Sequence, residues 1–254
     1  MEIDSMVFIA DKTILVTGAN RGIGQALVEE VLKRGAKRVY AGTRTGWTHA
    51  DQRVTPLTLD VTDAAQVELA AEQIDSLDVL INNAGVAAYD DLSDRAVIDW
   101  HLAVNLFGTH RMVEAFLPQL VRSGGAIVNN LSVNALAPFP VIPAYGISKA
   151  AAFSLTQSLR ALLADRGVSV HAVLTGIVDT DMSAGVDVPK ASPESVAESI
   201  LDGVEKDEED IFPDPMARAL TESWRSGAVK ALERENASLA GAIRAQAQNA
   251  IGAN

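Results

Sequence analysis

The sequence predicts an α/β protein: a doubly wound parallel sheet of about seven strands, helices on both faces, and a helical C-terminal extension. Two observations predict it. Short apolar runs alternate with longer amphipathic segments along the chain, the pattern of βαβ units. The runs are rich in Val, Ile and Leu without strict polar alternation, as befits strands covered on both faces.

The elements follow in order. A strand at 13–17 (TILVT) leads through a glycine-rich turn into a helix at 22–34. Strands at 38–43 and 54–59, a helix at 64–75 and a strand at 78–82 complete the first half. A helical region at 94–121 is expected to break near Asn105. A strand at 125–131, a long helix at 144–165, a strand at 168–174, a helix at 193–205 and a short strand at 210–212 make the second half. The Ala-, Glu- and Arg-rich stretch 216–254 reads as one or two appended helices. Residues 1–254 are thus expected to form a single domain, with a core at about 10–212 and an extension at about 213–254. The acidic cluster 205–210 reads as a solvated turn.

With 48% hydrophobic and 21% charged residues, the chain can bury a large core. A net charge of −12 argues against a nucleic-acid partner, which calls for a basic face. An acidic protein can still hold an anionic cofactor where backbone amides and one or two arginines build the site. The absence of cysteine excludes disulfides, thiolate zinc sites and cysteine nucleophiles, and fits a reducing cytoplasm. The opening MEIDSMVFIA lacks the basic start and apolar run of a leader. No run approaches the roughly 18–20 apolar residues of a membrane span. A cytoplasmic protein without a membrane partner is therefore expected. The four histidines show no ligand spacing, so no metal is expected. Trp47 reads as an exposed loop aromatic, and Trp100 and Trp224 as packing residues.

Three groupings carry chemistry. The first strand runs into Thr17-Gly18-Ala19-Asn20-Arg21-Gly22-Ile23-Gly24, just before a helix. Glycines let the backbone turn sharply and approach a pyrophosphate, whose charge is favoured at the helix N-terminus. The spacing is GxxxGxG rather than the commoner GxGxxG, and a tight strand–helix connection alone would also use glycine. At the end of the second strand, the carboxylate that would bind a ribose 2′-hydroxyl is missing and Arg44 stands beside the slot. With Arg21 it could hold a 2′-phosphate, so NADP(H) is preferred and NAD(H) remains possible; two ordinary surface arginines are the plain alternative. Tyr145 and Lys149 are spaced i,i+4 and share one helical face, where a lysine cation is expected to lower the phenol pKa. Ser132 lies thirteen residues upstream of Tyr145, at the carboxyl end of the fifth strand, where open α/β sheets bind ligands.

The run TGANRGIG (17–24), the run NNAG (82–85), Asn105, Ser132, YxxxK (145–149) and the order of the elements together resemble the short-chain dehydrogenase/reductase family, over about residues 10–212. The resemblance implies a Rossmann-like fold and hydride transfer between a nicotinamide dinucleotide and a carbonyl/alcohol pair. By it, Tyr145 is the acid–base, Ser132 holds the reacting oxygen, and Lys149 bonds the nicotinamide ribose and lowers the Tyr145 pKa. Asn105 anchors a water that links Lys149 to solvent. Gly18, Asn20, Arg21, Gly22, Ile23 and Gly24 cradle the cofactor, Asp60 and Val61 lie near the adenine, and Asn83, Ala84 and Gly85 line the adenosine–ribose side. Asp60 also reads as a helix cap, since Asp60-Val-Thr-Asp63 precedes an apolar helix. The family's Pro-Gly-x-Val-x-Thr appears here as Thr175-Gly176-Ile177-Val178-Asp179-Thr180. Val178 and Thr180 are kept, while threonine for proline implies a less rigid loop and a spare hydroxyl near the ring. The family's subunit contacts imply a homodimer or homotetramer.

On the substrate side, Phe139, Val141 and Ile142, with 86–92 and 183–192, are the expected walls, which suit an apolar ketone or aldehyde; the same residues could simply pack. Two other functions fit the scaffold. A halohydrin dehalogenase would carry arginine for the lysine and a halide pocket. A dinucleotide-sensing regulator would be expected to lose part of the Ser/Tyr/Lys set. Lys149 and the glycine turn argue against the first, and the complete set against the second.

Overall fold

The computed structural model describes residues 8–252, with side chains through residue 243. Most of the opening segment read for a leader, residues 1–7, lies outside the described residues. Seven strands form one all-parallel sheet: β1 Thr13–Thr17, β2 Arg38–Thr43, β3 Val54–Thr58, β4 Val79–Asn82, β5 Ala126–Asn130, β6 Ser169–Val173 and β7 Asp210–Ile211. Their order is β3-β2-β1-β4-β5-β6-β7. The chain winds outward to β3, returns to place β4 beside β1, and winds the other way. That reversal opens a crevice at the carboxyl ends of β1 and β4.

The helices are α1 Gly22–Lys33, α2 Ala64–Gln73, α3 Arg95–Leu102, α4 Thr109–Ser123, α5 Pro143–Leu163 and α6 Pro193–Glu205, followed by α7 Pro215–Arg218, α8 Thr221–Arg225 and α9 Ala228–Gly252. They cover both faces of the sheet. Ile14 and Val16 of β1 pack with Leu27, Val31, Ile200 and Leu201 from α1 and α6 on one side. Leu15, between them in sequence, faces Val67, Met112 and Phe116 from α2 and α4 on the other. Strands buried on both faces have no polar side to show, which explains their continuous apolar runs.

Three local expectations are corrected. The break near Asn105 is a π-turn, Ala103–Gly108, which joins α3 to α4 without interrupting the helical path. The acidic cluster is a turn exposed at Lys206, Asp207 and Glu209, but its two ends are tied into the fold. Glu205 accepts from Arg34 at 2.8 Å, and Asp210, 6% exposed, pairs with Arg160 at 2.9 Å and Lys230 at 2.7 Å. Trp47 is half-buried against the core beside Ile23 rather than exposed.

The extension has three helices instead of one or two. Trp224 of α8 packs on Phe153 with ring centroids 5.6 Å apart and donates its indole N–H to Asp210 at 2.8 Å. From α9, Lys230 reaches Glu209 and Asp210 while Glu233 takes Arg160 and Gln157 of α5. The start of α9 is therefore pinned to the sheet edge by charge, and its outward residues Val229, Leu232 and Leu239 are exposed.

Candidate active site

A cleft of about 810 Å³ lies across the carboxyl ends of β1, β4, β5 and β6. Its floor is the glycine turn. Gly18 and Gly22 adopt φ of +65° and +53°, the left-handed region that glycine enters freely. A Cβ at Gly18 would stand 3.0 Å from the Ala84 backbone, and one at Gly24 only 2.1 Å from the Gly18 carbonyl oxygen. The turn thus presents bare backbone. The first turn of α1 has neither a side-chain cap nor an acidic residue, so its N–H groups and positive dipole end remain available to an anion.

Thr17 and Asn83 hold this floor together. The Thr17 hydroxyl accepts from the Asn83 and Ala84 amides, both at 3.0 Å, and Asn83 Nδ2 donates to the Thr17 and Gly18 carbonyls at 3.0 and 3.2 Å. Thr180 closes the turn from the far side, with its methyl 3.0 Å from where a Gly22 Cβ would be. Each residue expected at the cofactor lines this one cleft: the glycine-turn set with Asn20, Arg21 and Ile23, then Arg44, Asp60, Val61, Asn83, Ala84, Gly85, Tyr145, Lys149, Val178 and Thr180. A dinucleotide's pyrophosphate fits the bare turn, and its charge fits the helix end.

Arg44 forms no salt bridge among the described residues, whereas Arg21 Nη1 is paired with Asp181 Oδ2 at 2.8 Å across the cleft mouth. Burial works to raise the Asp60 pKa, but bonds from the Thr62 hydroxyl and amide and the charges of Arg44 and Arg111 hold that carboxyl below its usual value. The helix cap is Asp63, accepting from Ala65 and Gln66; Asp60 instead closes a local turn onto Thr62.

At the deep end, Ser132, Tyr145 and Lys149 come together. All are buried, at 5%, 9% and 6% exposure. Ser132 acts on the phenol, opposing the rise of its pKa, and Lys149 Nζ lies 5.7 Å from the phenol ring centroid while donating to the Asn130 carbonyl at 2.7 Å. One expectation fails here. Burial raises the Tyr145 pKa, with Ser132 opposing it, rather than Lys149 lowering it. The lysine suffers the same desolvation, which brings its own pKa down to about 8.

Asn105 does not line the cleft. Its amide oxygen accepts from Val86 N at 2.9 Å, and its Nδ2 donates to Val86 O and to the Ser148 hydroxyl at 3.0 and 2.8 Å. It pins one wall from behind. Nor is the Thr175 hydroxyl spare: it donates to Asn130 Oδ1 at 2.8 Å. The next residue, Gly176, donates its N–H to buried Asp214 at 2.6 Å, which ties this loop to the start of α7.

The substrate side is apolar and aromatic. Phe139, Val141 and Ile142 line it as expected, together with parts of 86–92 and 183–192. Trp100, expected to pack, is 44% exposed and forms part of the wall. Sequence reasoning missed four residues that build this end. His101, fully buried, bonds the Val97 carbonyl at 2.7 Å and accepts from the Ala88 amide at 3.2 Å, which fixes the wall at Ala88. Asp90 accepts from Ala144 N at 3.2 Å and so places a carboxylate at the start of the helix carrying Tyr145. Met216 of α7 reaches the cleft, and Asn130 joins Lys149 to Thr175. Only an Asp shortly before a helix start was a usable signal, and nothing local pairs it with α5.

Comparison with known proteins agrees with this arrangement. The family model described as short chain dehydrogenase matches residues 12–190. An uncharacterized oxidoreductase of Staphylococcus epidermidis is 31% identical over 211 residues, covering 77% of this chain and 92% of its own. One from Staphylococcus aureus is 32% identical over 212 residues, with the same coverage of 77% and 92%. A short chain dehydrogenase from Burkholderia cenocepacia, solved in complex with NADP, superposes with a TM-score of 0.83 at 35% identity, covering 90% of this chain and 98% of that one. ElxO with NADP bound gives 0.74 at 25% identity, covering 82% and 99%. With its parallel sheet, glycine turn and Ser132/Tyr145/Lys149 cluster, the chain belongs to the short-chain dehydrogenase family of oxidoreductases.

Proposed function

We propose that the protein is an NADP(H)-dependent oxidoreductase that interconverts a hydrophobic ketone or aldehyde and its alcohol, with Tyr145 as the acid–base. The observation that carries this reading is the meeting of the Ser132 hydroxyl, the Tyr145 phenol and the Lys149 ammonium at the end of a glycine cradle, beside an apolar substrate wall. NADP-bound structural relatives and the position of Arg44 support the choice of cofactor, with NAD(H) a weaker alternative. When bound, the nicotinamide supplies or takes the hydride.

The protein's own groups do the rest. The Ser132 and Tyr145 hydroxyls converge on the place of the reacting oxygen, Ser132 holding it and Tyr145 giving it a proton during reduction. Lys149 bonds the nicotinamide ribose and keeps a positive charge beside the phenol. Asn105 braces Val86 behind the wall and bonds Ser148 on the helix that carries Lys149. Exclusion of water by Trp100, Phe139 and Ile142 strengthens each of these bonds and selects an apolar substrate. Residues 1–254 form one catalytic domain in this reading, cytoplasmic as the lack of cysteine suits. It works as a homodimer or homotetramer, for which exposed Ile147 and Leu162 on α5 provide apolar surface.

The decisive experiment follows NADPH absorbance with a panel of hydrophobic ketones. Tyr145→Phe should lower kcat by about 10³-fold while leaving NADPH affinity within about twofold. Retained turnover in that variant would remove the acid–base assignment.

A further inference from the structure

We infer that Thr175 is a positioning residue, whose hydroxyl completes a hydrogen-bonded belt across the tips of four neighbouring strands and thereby holds the glycine turn and Lys149 in register. The inference rests on the nucleotide-binding reading above, and it gives a purpose to the threonine that stands where the family pattern has proline.

The belt can be followed bond by bond. Thr175, two residues past β6, donates to Asn130 Oδ1 at 2.8 Å. Asn130, the last residue of β5, donates from Nδ2 to Asn83 Oδ1 at 2.9 Å. Asn83, just past β4, donates from its own Nδ2 to the carbonyls of Thr17, the last residue of β1, and Gly18, at 3.0 and 3.2 Å. These are the strands adjacent in the sheet order β1-β4-β5-β6, so each link spans one strand spacing. The backbone supports the same seam: Leu131 N donates to Val173 O at 2.8 Å and Val133 N to Thr175 O at 3.0 Å.

The belt has a fixed polarity. Its far end is a pair of carbonyl oxygens, so Asn83 must present Nδ2 there and Oδ1 to its neighbour. Asn130 must then turn Nδ2 toward Asn83, which leaves Oδ1 facing residue 175. That oxygen needs a donor. Threonine, 5% exposed, supplies one; proline or valine would leave the acceptor of half-buried Asn130 without its donor. Asn130 is also the residue whose main-chain carbonyl receives Lys149 Nζ at 2.7 Å. With its side chain clamped on both sides, Asn130 has little freedom to move that carbonyl. Thr175 therefore acts on cofactor and lysine together without touching the reacting atoms. Where a proline would stiffen the loop through its ring, this chain does so through a side-chain bond.

Thr175→Val keeps the shape and removes the donor; Thr175→Ser keeps the donor. The dissociation constant of NADPH, read by quenching of tryptophan fluorescence, should rise about tenfold in the valine variant and stay within about twofold in the serine variant. A valine variant that binds like the wild type, or a serine variant as impaired as valine, overturns the inference while leaving the proposed function standing. If the wild-type protein binds no NADPH, the functional reading falls. The belt is then judged by urea unfolding, where valine but not serine must shift the equilibrium roughly tenfold toward the unfolded state, and coincident curves refute it. Should Thr175→Val not accumulate folded, Thr175→Ala removes the same donor and is read in the same titration, where it must weaken NADPH as expected for valine; wild-type binding by it counts against the belt.

Discussion

Two titrating side chains at the deep end of the cleft have been moved in opposite directions by one cause. Burial favours the neutral form of each, so the Tyr145 pKa rises and that of Lys149 falls to about 8. A tyrosine held as phenol is ready to give a proton and reluctant to take one. In the proposed reaction reduction needs the phenol, so its rate should be flat on the tyrosine limb through neutral pH. Alcohol oxidation needs the phenolate, so its rate should climb by up to about tenfold per pH unit over the same range. Initial rates in both directions between pH 6 and 9 check this, and an oxidation rate that falls across that range contradicts it. Arg44 offers a second test. It carries no salt bridge among the described residues and lines the cleft near Asp60. Arg44→Asp should weaken NADPH by about 100-fold and NADH by less than about threefold, because only the former brings a 2′-phosphate to be repelled. Equal losses for the two would dismiss the phosphate assignment.

Among the elements, α9 poses the clearest energetic question. Among its described side chains Val229, Leu232, Leu239 and Ile243 are exposed, so little apolar burial holds this part down. Its attachment is ionic. Lys230, with 3% of its side chain exposed, sits among Asp210, Glu209 and Glu233 at 2.7 to 3.0 Å. Burial acts to lower its pKa, and the bonds to Asp210 and Glu209 outweigh that and raise it. Removing one partner from such a cluster leaves buried charge uncompensated. Lys230→Met should therefore cost about 3 kcal/mol of unfolding free energy in urea, with kcat little changed because the cluster stands apart from the cleft lining. A loss below about 0.5 kcal/mol would mean that the remaining Arg160 pairs suffice. The π-turn at Ala103–Gly108 is a different kind of element-level feature: it places Asn105 where its amide can brace Val86 from behind the wall.

For the molecule as a whole, the sequence by itself determined the sheet, the alternation of strands and helices, and the glycine turn, Ser132, Tyr145 and Lys149 of the cleft. These are carried by patterns within a few residues of each other: apolar runs, glycines before a helix, a Tyr and a Lys one turn apart. Local sterics and burial enforce them wherever the chain goes. Only the tertiary structure decided what happens between distant segments. It showed that Asn105 serves Val86 and Ser148, that the acidic cluster is paired with Arg34, Arg160 and Lys230, and that Thr175 bonds Asn130, 45 residues away. It also decided the Tyr145 pKa, since the i,i+4 spacing records a neighbouring lysine but not the desolvation that overrides it. The physical reason is common to all of these. Helical and strand periodicity is a short-range property of the chain, whereas burial, ion pairing and side-chain hydrogen bonds depend on which surfaces meet after it has folded.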